Sequence, residues 1–201
     1  MKLLMIRHGQ TPSNVMGALD TAAPGAPLDE TGLLQAAGLV NRLENEEVGS
    51  LYASPLIRAR MTAEPLATTR KLALNERDGL RELAAGELEM RNDKESLLAY
   101  YSVFMRWLTG DLAARLPGGE SGSAALRRFT SVIEELEAQD PGAATVVSHG
   151  AMLMVWTRAM ASNVSLDFIR TAPLSNAGVL ALEGSMSKGW VVSSWDGTKL
   201  D

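Results

Sequence analysis

Two short runs, LLMI at residues 3–6 and ATVVS at residues 144–148, carry small or apolar side chains without alternation, and each leads into a histidine followed by glycine. A strand with one wet face alternates polar and apolar positions; a strand that does not is covered on both faces, as in a parallel sheet flanked by helices. The intervening sequence supplies those helices. Leu33, Ala36, Ala37, Val40 and Leu43 recur at the spacing of one helix face within residues 29–46, where Asp29 or Thr31 can cap the start. SLYAS at 50–54 reads as a second strand, and PLIRARMTAEPLATT begins a helix with proline in its first turn, where the missing N–H is harmless. Residues 94–116 form a helix with Tyr100, Phe104, Trp107 and Leu108 on one side, broken by PGGES at 117–121. Further helices follow over 126–136, with Phe129, Val132, Ile133 and Leu136 inward, and over 152–160. GVLALEG and WVVSSWD close the chain as strands, the last at an edge. The expected architecture is an α/β three-layer sandwich, a mostly parallel central sheet with helices on both faces, in a single domain over residues 1–201.

Composition narrows the function. With 201 residues the chain can bury a substantial core, and a net charge of −5 lacks the excess of basic residues that a nucleic-acid partner would favour. There is no cysteine, so disulfides and thiolate chemistry are excluded and a cytoplasmic setting is expected. The opening MKLLMI resembles the start of a signal peptide, but Arg7 and His8 end the apolar stretch after four residues. No later run reaches membrane-spanning length, so neither export nor a membrane partner is expected. MLMVW at 152–156 and the four tryptophans read as core.

The chain has two histidines, His8 and His149, and both fall where a buried strand ends. In an open α/β sheet, ligands bind outside the carboxyl ends of the strands. Arg7 adjoins His8, and Arg58 follows the second strand at the same rim, so two guanidinium groups can clamp phosphate oxygens. Neighbouring cations disfavour imidazolium and keep His8 neutral and nucleophilic while gathering the anion that it attacks. Two other readings fare worse. A metal site needs more ligands and no adjacent guanidinium, and a serine nucleophile at Ser148 lacks the first glycine of its usual turn. Arg60 reads as a solvated surface arginine.

RHGQTPSN, PLDETGLLQA, SPLIRARMTAE, LRELAAGELE, PGGES and VVSHG stand in the order found in the histidine phosphatase superfamily, the phosphoglycerate mutase-like family, which the chain resembles from residue 3 to about 185. The resemblance implies that His8 becomes a phosphohistidine and that Arg7, Arg58 and His149 surround the phosphoryl oxygens. It adds Asn14 to the pocket or its entrance and makes Glu82 the proton donor. The implied reaction is hydrolysis of a small phosphate ester without metal or cofactor.

The sequence also departs from that pattern. Many members place glycine where this chain has Met90, after Leu88 and Glu89. DTAAPGAP at 20–27 lengthens the link to PLDETG, and reads equally as a stiff lip over the site or an inert surface loop. About 66 residues separate Glu82 from His149, with Arg91, Lys94, Arg106, Arg115, Arg127 and Arg128 as the main basic groups. The mutases of the family look longer there, which favours a phosphatase over a mutase; a binding module that has lost turnover is a third reading. The apolar C-terminal strand offers an edge for a homodimer.

Overall fold

The computed structural model describes residues 1–139 and 142–200. Its seven strands are β1 Lys2–Arg7, β2 Ser50–Ala53, β3 Leu74–Glu76, β4 Ala143–Ser148, β5 Val179–Ser185, β6 Gly189–Trp195 and β7 Thr198–Lys199. They form one sheet in the order β3-β2-β4-β1-β5-β6-β7. From β3 to β1 every pairing is parallel; from β1 to β7 every pairing is antiparallel. Because β6 reverses β5, five of the seven strands still point the same way, and β5 and β7 oppose them. The helices are α1 Pro12–Met16, α2 Glu30–Arg42, α3 Ile57–Arg70, α4 Lys94–Leu108, α5 Gly122–Gln139, α6 Gly150–Met160 and α7 Leu166–Thr171.

The unbroken apolar run of β1 is explained by its two faces. Leu3 and Met5 join a core with Phe129, Ile133 and Trp156 beneath α4 to α7, whereas Leu4 and Ile6 join a second core with Leu39, Ala63 and Leu66 beneath α2 and α3. All four tryptophans are buried, as are Met152, Leu153, Val155 and Trp156 of the MLMVW run. Among the described residues no helix is long and apolar enough to cross a membrane.

Boundaries differ from the sequence pattern for local reasons. The helix after β2 starts at Ile57 rather than at Pro55, and the Ile57 N–H is spent on the Pro24 carbonyl of the 20–27 loop at 3.0 Å. α4 stops at Leu108 rather than 116, because the chain turns at Gly110 with φ 98°. α5 begins four residues before Leu126, and only its apolar middle is visible as periodicity. β6 is not the sheet edge. β7 pairs with its end, Asn163 bonds Val192 through both backbone groups, and Ser162 N–H donates to the Trp190 carbonyl. Two copies pairing through this strand would first have to displace those segments.

Candidate active site

Three neighbouring parallel strands, β2, β4 and β1, deliver Ser54, His149 and His8 side by side at their carboxyl ends. The ladder continues one bond past each strand: Ser54 N–H donates to the Val147 carbonyl and His8 N–H to the Ser148 carbonyl, both at 2.9 Å. The imidazole rings stand 5.2 Å apart, centroid to centroid. A carbonyl can only accept, so the 2.7 Å contact from His8 Nδ1 to the Gly9 oxygen puts the proton on Nδ1 and leaves the lone pair on Nε2. His149 Nε2 lies 2.8 Å from Ser54 Oγ, and its buried Nδ1 has no hydrogen-bond partner. Nε2 is the acceptor in reach of the Ser54 hydroxyl, and the tautomer in which Ser54 donates to it leaves Nδ1–H as a spare donor.

Two helices clamp the backbone around His8. Gly9 N–H donates to Thr62 Oγ1 of α3, and Gln10 N–H donates to Gln35 Oε1 of α2. Asp29 caps α2 and binds the Gln10 side chain. A Cβ on Gly32 would stand 2.1 Å from the Gln10 carbonyl oxygen, so α2 can dock here only on a glycine. This is the physical content of the PLDETG stretch: it fixes the segment that aims His8. On the other side the Asn176 side chain donates to the His8 carbonyl.

Arg7 donates through Nη1 to the Leu174 carbonyl at 2.6 Å, and its guanidinium lies across Gly150, where a Cβ would meet it at 3.1 Å. Arg58, 2% exposed, donates to the Asp20 carbonyl and pairs with the Asp20 carboxylate at 3.4 Å. Arg7 Nε and Arg58 Nε and Nη1 are buried without a hydrogen-bond partner. Burial is the main influence lowering both arginines, opposed by carboxylates that include Glu82. Burial also holds both imidazoles well below the usual 6.5, reinforced by Arg58 and Arg7. Arg7 Nε and Arg58 Nε, buried without a hydrogen-bond partner, and Arg58 Nη1, held only by the 3.4 Å ion pair to Asp20, stand beside two neutral imidazoles, a donor set suited to a tetrahedral oxyanion.

Glu82 sits at the start of α6, accepting the amides of Met152 and Ala151 there and of its own neighbour Leu83, at 2.8–3.2 Å. Asn14 Oδ1 accepts from Thr11 N–H and from the Asn176 side chain, which leaves Nδ2 for a ligand. Arg7, His8, Asn14, Arg58 and Glu82 line one cavity of about 370 Å³. His149 stands behind it, fully buried. Ser148 is turned away, donating to the Leu80 carbonyl, and Arg60 pairs with Glu76 at the surface.

Of the 20–27 loop, Asp20 and Thr21 line the cavity, while Ala22, Ala23 and Pro24 face solvent outside it. Asp20 accepts from Ser13 and Ala26, while Glu89 accepts from Thr21 and Ala22. Met90 occupies the family's glycine position with φ 61°, so the turn keeps its left-handed shape without glycine. Sequence reasoning missed Ser54, Asp20, Thr21, Asn176 and Tyr101. Ser54 could have been found, because it stands after β2 as His8 and His149 stand after β1 and β4.

The family model of the histidine phosphatase superfamily (branch 1) matches residues 3–197, and the chain belongs to that superfamily. It is 32% identical to an adenosylcobalamin/alpha-ribazole phosphatase of Salmonella typhimurium, over 76% of each chain. It is 29% identical over 96% of its length to the PE-PGRS family protein PE_PGRS11 of Mycobacterium tuberculosis, but spans only 36% of that longer protein. A mycobacterial glucosyl-3-phosphoglycerate phosphatase, solved with VO3, superposes with a TM-score of 0.82 at 25% identity, covering 97% of this chain and 98% of the other.

Proposed function

We propose that this protein is a phosphomonoesterase, a single-domain phosphatase of the cytoplasm that hydrolyses a small phosphorylated metabolite through a phosphohistidine on His8. The observation that carries the reading is the bare Nε2 of His8 beside Arg7 Nε and Arg58 Nε, both buried without a hydrogen-bond partner. Nε2 attacks phosphorus in line and the ester P–O bond breaks; the departing alkoxide takes the proton of the Glu82 carboxyl group. Water then gives a proton back to the Glu82 carboxylate and attacks phosphorus, the P–N bond breaks, and orthophosphate leaves. Arg7, Arg58 and His149 Nδ1–H oppose the charge on the equatorial oxygens, and Asn14 Nδ2 adds a donor at the entrance. No step requires a metal or cofactor, so turnover in excess chelator should equal turnover without it.

Brief mixing with an isotopically labelled phosphate ester, followed by alkaline quench, should leave acid-labile label on His8. His8→Ala should lose both label and turnover; wild-type rates in that variant would remove the nucleophile assignment. Glu82→Gln should slow alkyl phosphates by ~100-fold or more and aryl phosphates far less, because a phenolate needs little protonation to leave. Equal losses on the two ester types would tell against Glu82 as the acid.

A further inference from the structure

Beyond the phosphoryl pocket, the cavity changes character. Its floor carries Arg7, His8, Arg58 and Glu82, but its outer wall is built from Leu19, Tyr101, Phe104, Met154, Pro173 and Leu174. Among the described residues the cations lining it are Arg7 and Arg58, both at the phosphoryl end, and the acidic groups are Glu82 and Asp20, which pairs with Arg58. An ester whose alcohol part bore a carboxylate would lose its water against this wall with no cation to replace it. An uncharged ring meets the opposite situation. Tyr101 and Phe104 stand with centroids 6.0 Å apart at a tilt of 37°, and Tyr101 is 52% exposed, so an aromatic surface is left open at the mouth. Further apolar side chains are exposed on neighbouring segments. Leu98 lies one turn before Tyr101 on α4, Met90 N–H binds the Leu19 carbonyl, Met16 accepts from Asn92, and all three apolar side chains are exposed.

We propose that the site selects phosphate monoesters of uncharged alcohols that carry an aromatic ring, with Tyr101 and Phe104 holding the leaving group; this rests on the phosphatase reading above. The test compares kcat/KM for phenethyl phosphate, glycerol 3-phosphate and 3-phosphoglycerate, all alkyl esters, so that leaving-group chemistry is nearly constant. Phenethyl phosphate should be preferred over each of the others by about tenfold or more. Tyr101→Ala should lower that preference, and Tyr101→Arg should shift the ratio of phenethyl phosphate to 3-phosphoglycerate by about tenfold or more toward the acid. Position 101 is half-exposed, so both variants are expected to fold. Turnover that depends on His8 but runs as well or better on 3-phosphoglycerate or glycerol 3-phosphate would overturn the selectivity and leave the phosphatase reading intact. So would ratios unmoved in both variants. If the wild type hydrolyses none of the three, nor an activated aryl phosphate, the phosphatase reading fails and this inference with it.

Discussion

Burying imidazole in neutral form ties stability to pH, and this protein buries two. His8 and His149 are 4% and 0% exposed, and their folded pKa values lie well below 6.5. The unfolded chain takes up protons near pH 6.5 that the folded chain refuses. Stability is therefore complete above that pH and declines below it by up to about 1.4 kcal/mol per unit for each histidine. Denaturant titrations at about pH 7.5 and about pH 5.5 should differ by about 2–3 kcal/mol, and a flat profile would mean that the folded protein accepts those protons. Ser54→Ala would strip the partner from a buried ring nitrogen, costing about 1–3 kcal/mol and releasing the tautomer that presents Nδ1–H. The measured kcat should fall while the phosphohistidine still forms. Met90 sits at φ 61° with a side chain that gains little from it, so Met90→Gly should raise stability by about 1 kcal/mol in thermal unfolding. At this scale the sequence was legible where residue type is scarce. The pair of histidines stands out because there are no others, whereas Glu82 is one of 24 acidic residues and acquires its place by accepting amides of α6 about 70 positions away.

Elements were legible wherever an apolar face repeats. β1 and β4 announce themselves by unbroken burial, and α2 by a stripe that begins at its Asp29 cap. What periodicity could not supply were ends and edges, since these depend on partners remote in sequence: the Pro24 carbonyl at the start of α3, the Asn163 side chain along β6. The order of strands was equally hidden, and with it the switch from parallel to antiparallel pairing at β1. The docking of α2 onto the segment after His8 gives the element-scale prediction. Gly32→Ala forces a methyl into the Gln10 carbonyl, so the helix must shift or the segment must move. Activity should drop by ~10-fold or more, with circular dichroism showing helix content retained, because the nucleophile proposed at His8, once misplaced, loses much of the benefit of orientation. Full activity in that variant would show that the aim of His8 does not depend on this contact.

The whole molecule carries a net charge of −5, yet gathers two buried guanidinium groups with spare N–H donors at one end of its sheet. An oxyanion that fills this receptor should stabilise the fold by mass action. Phosphate or vanadate at about a hundred times its Kd adds about 2.7 kcal/mol, a rise in Tm of roughly 5–10 °C for a chain of this size. Arg58→Ala should show little of that rise at the same concentration; an equal shift would mean that the anion binds elsewhere. The layering of the molecule also separates two kinds of authority. The groups proposed to act on phosphorus hang from strand ends and the start of α6, fixed by the central sheet, whereas Tyr101 and Phe104 hang from α4 at the flank. A change of diet can therefore be written into the outward side of a single helix, while the reaction beneath it is inherited unaltered.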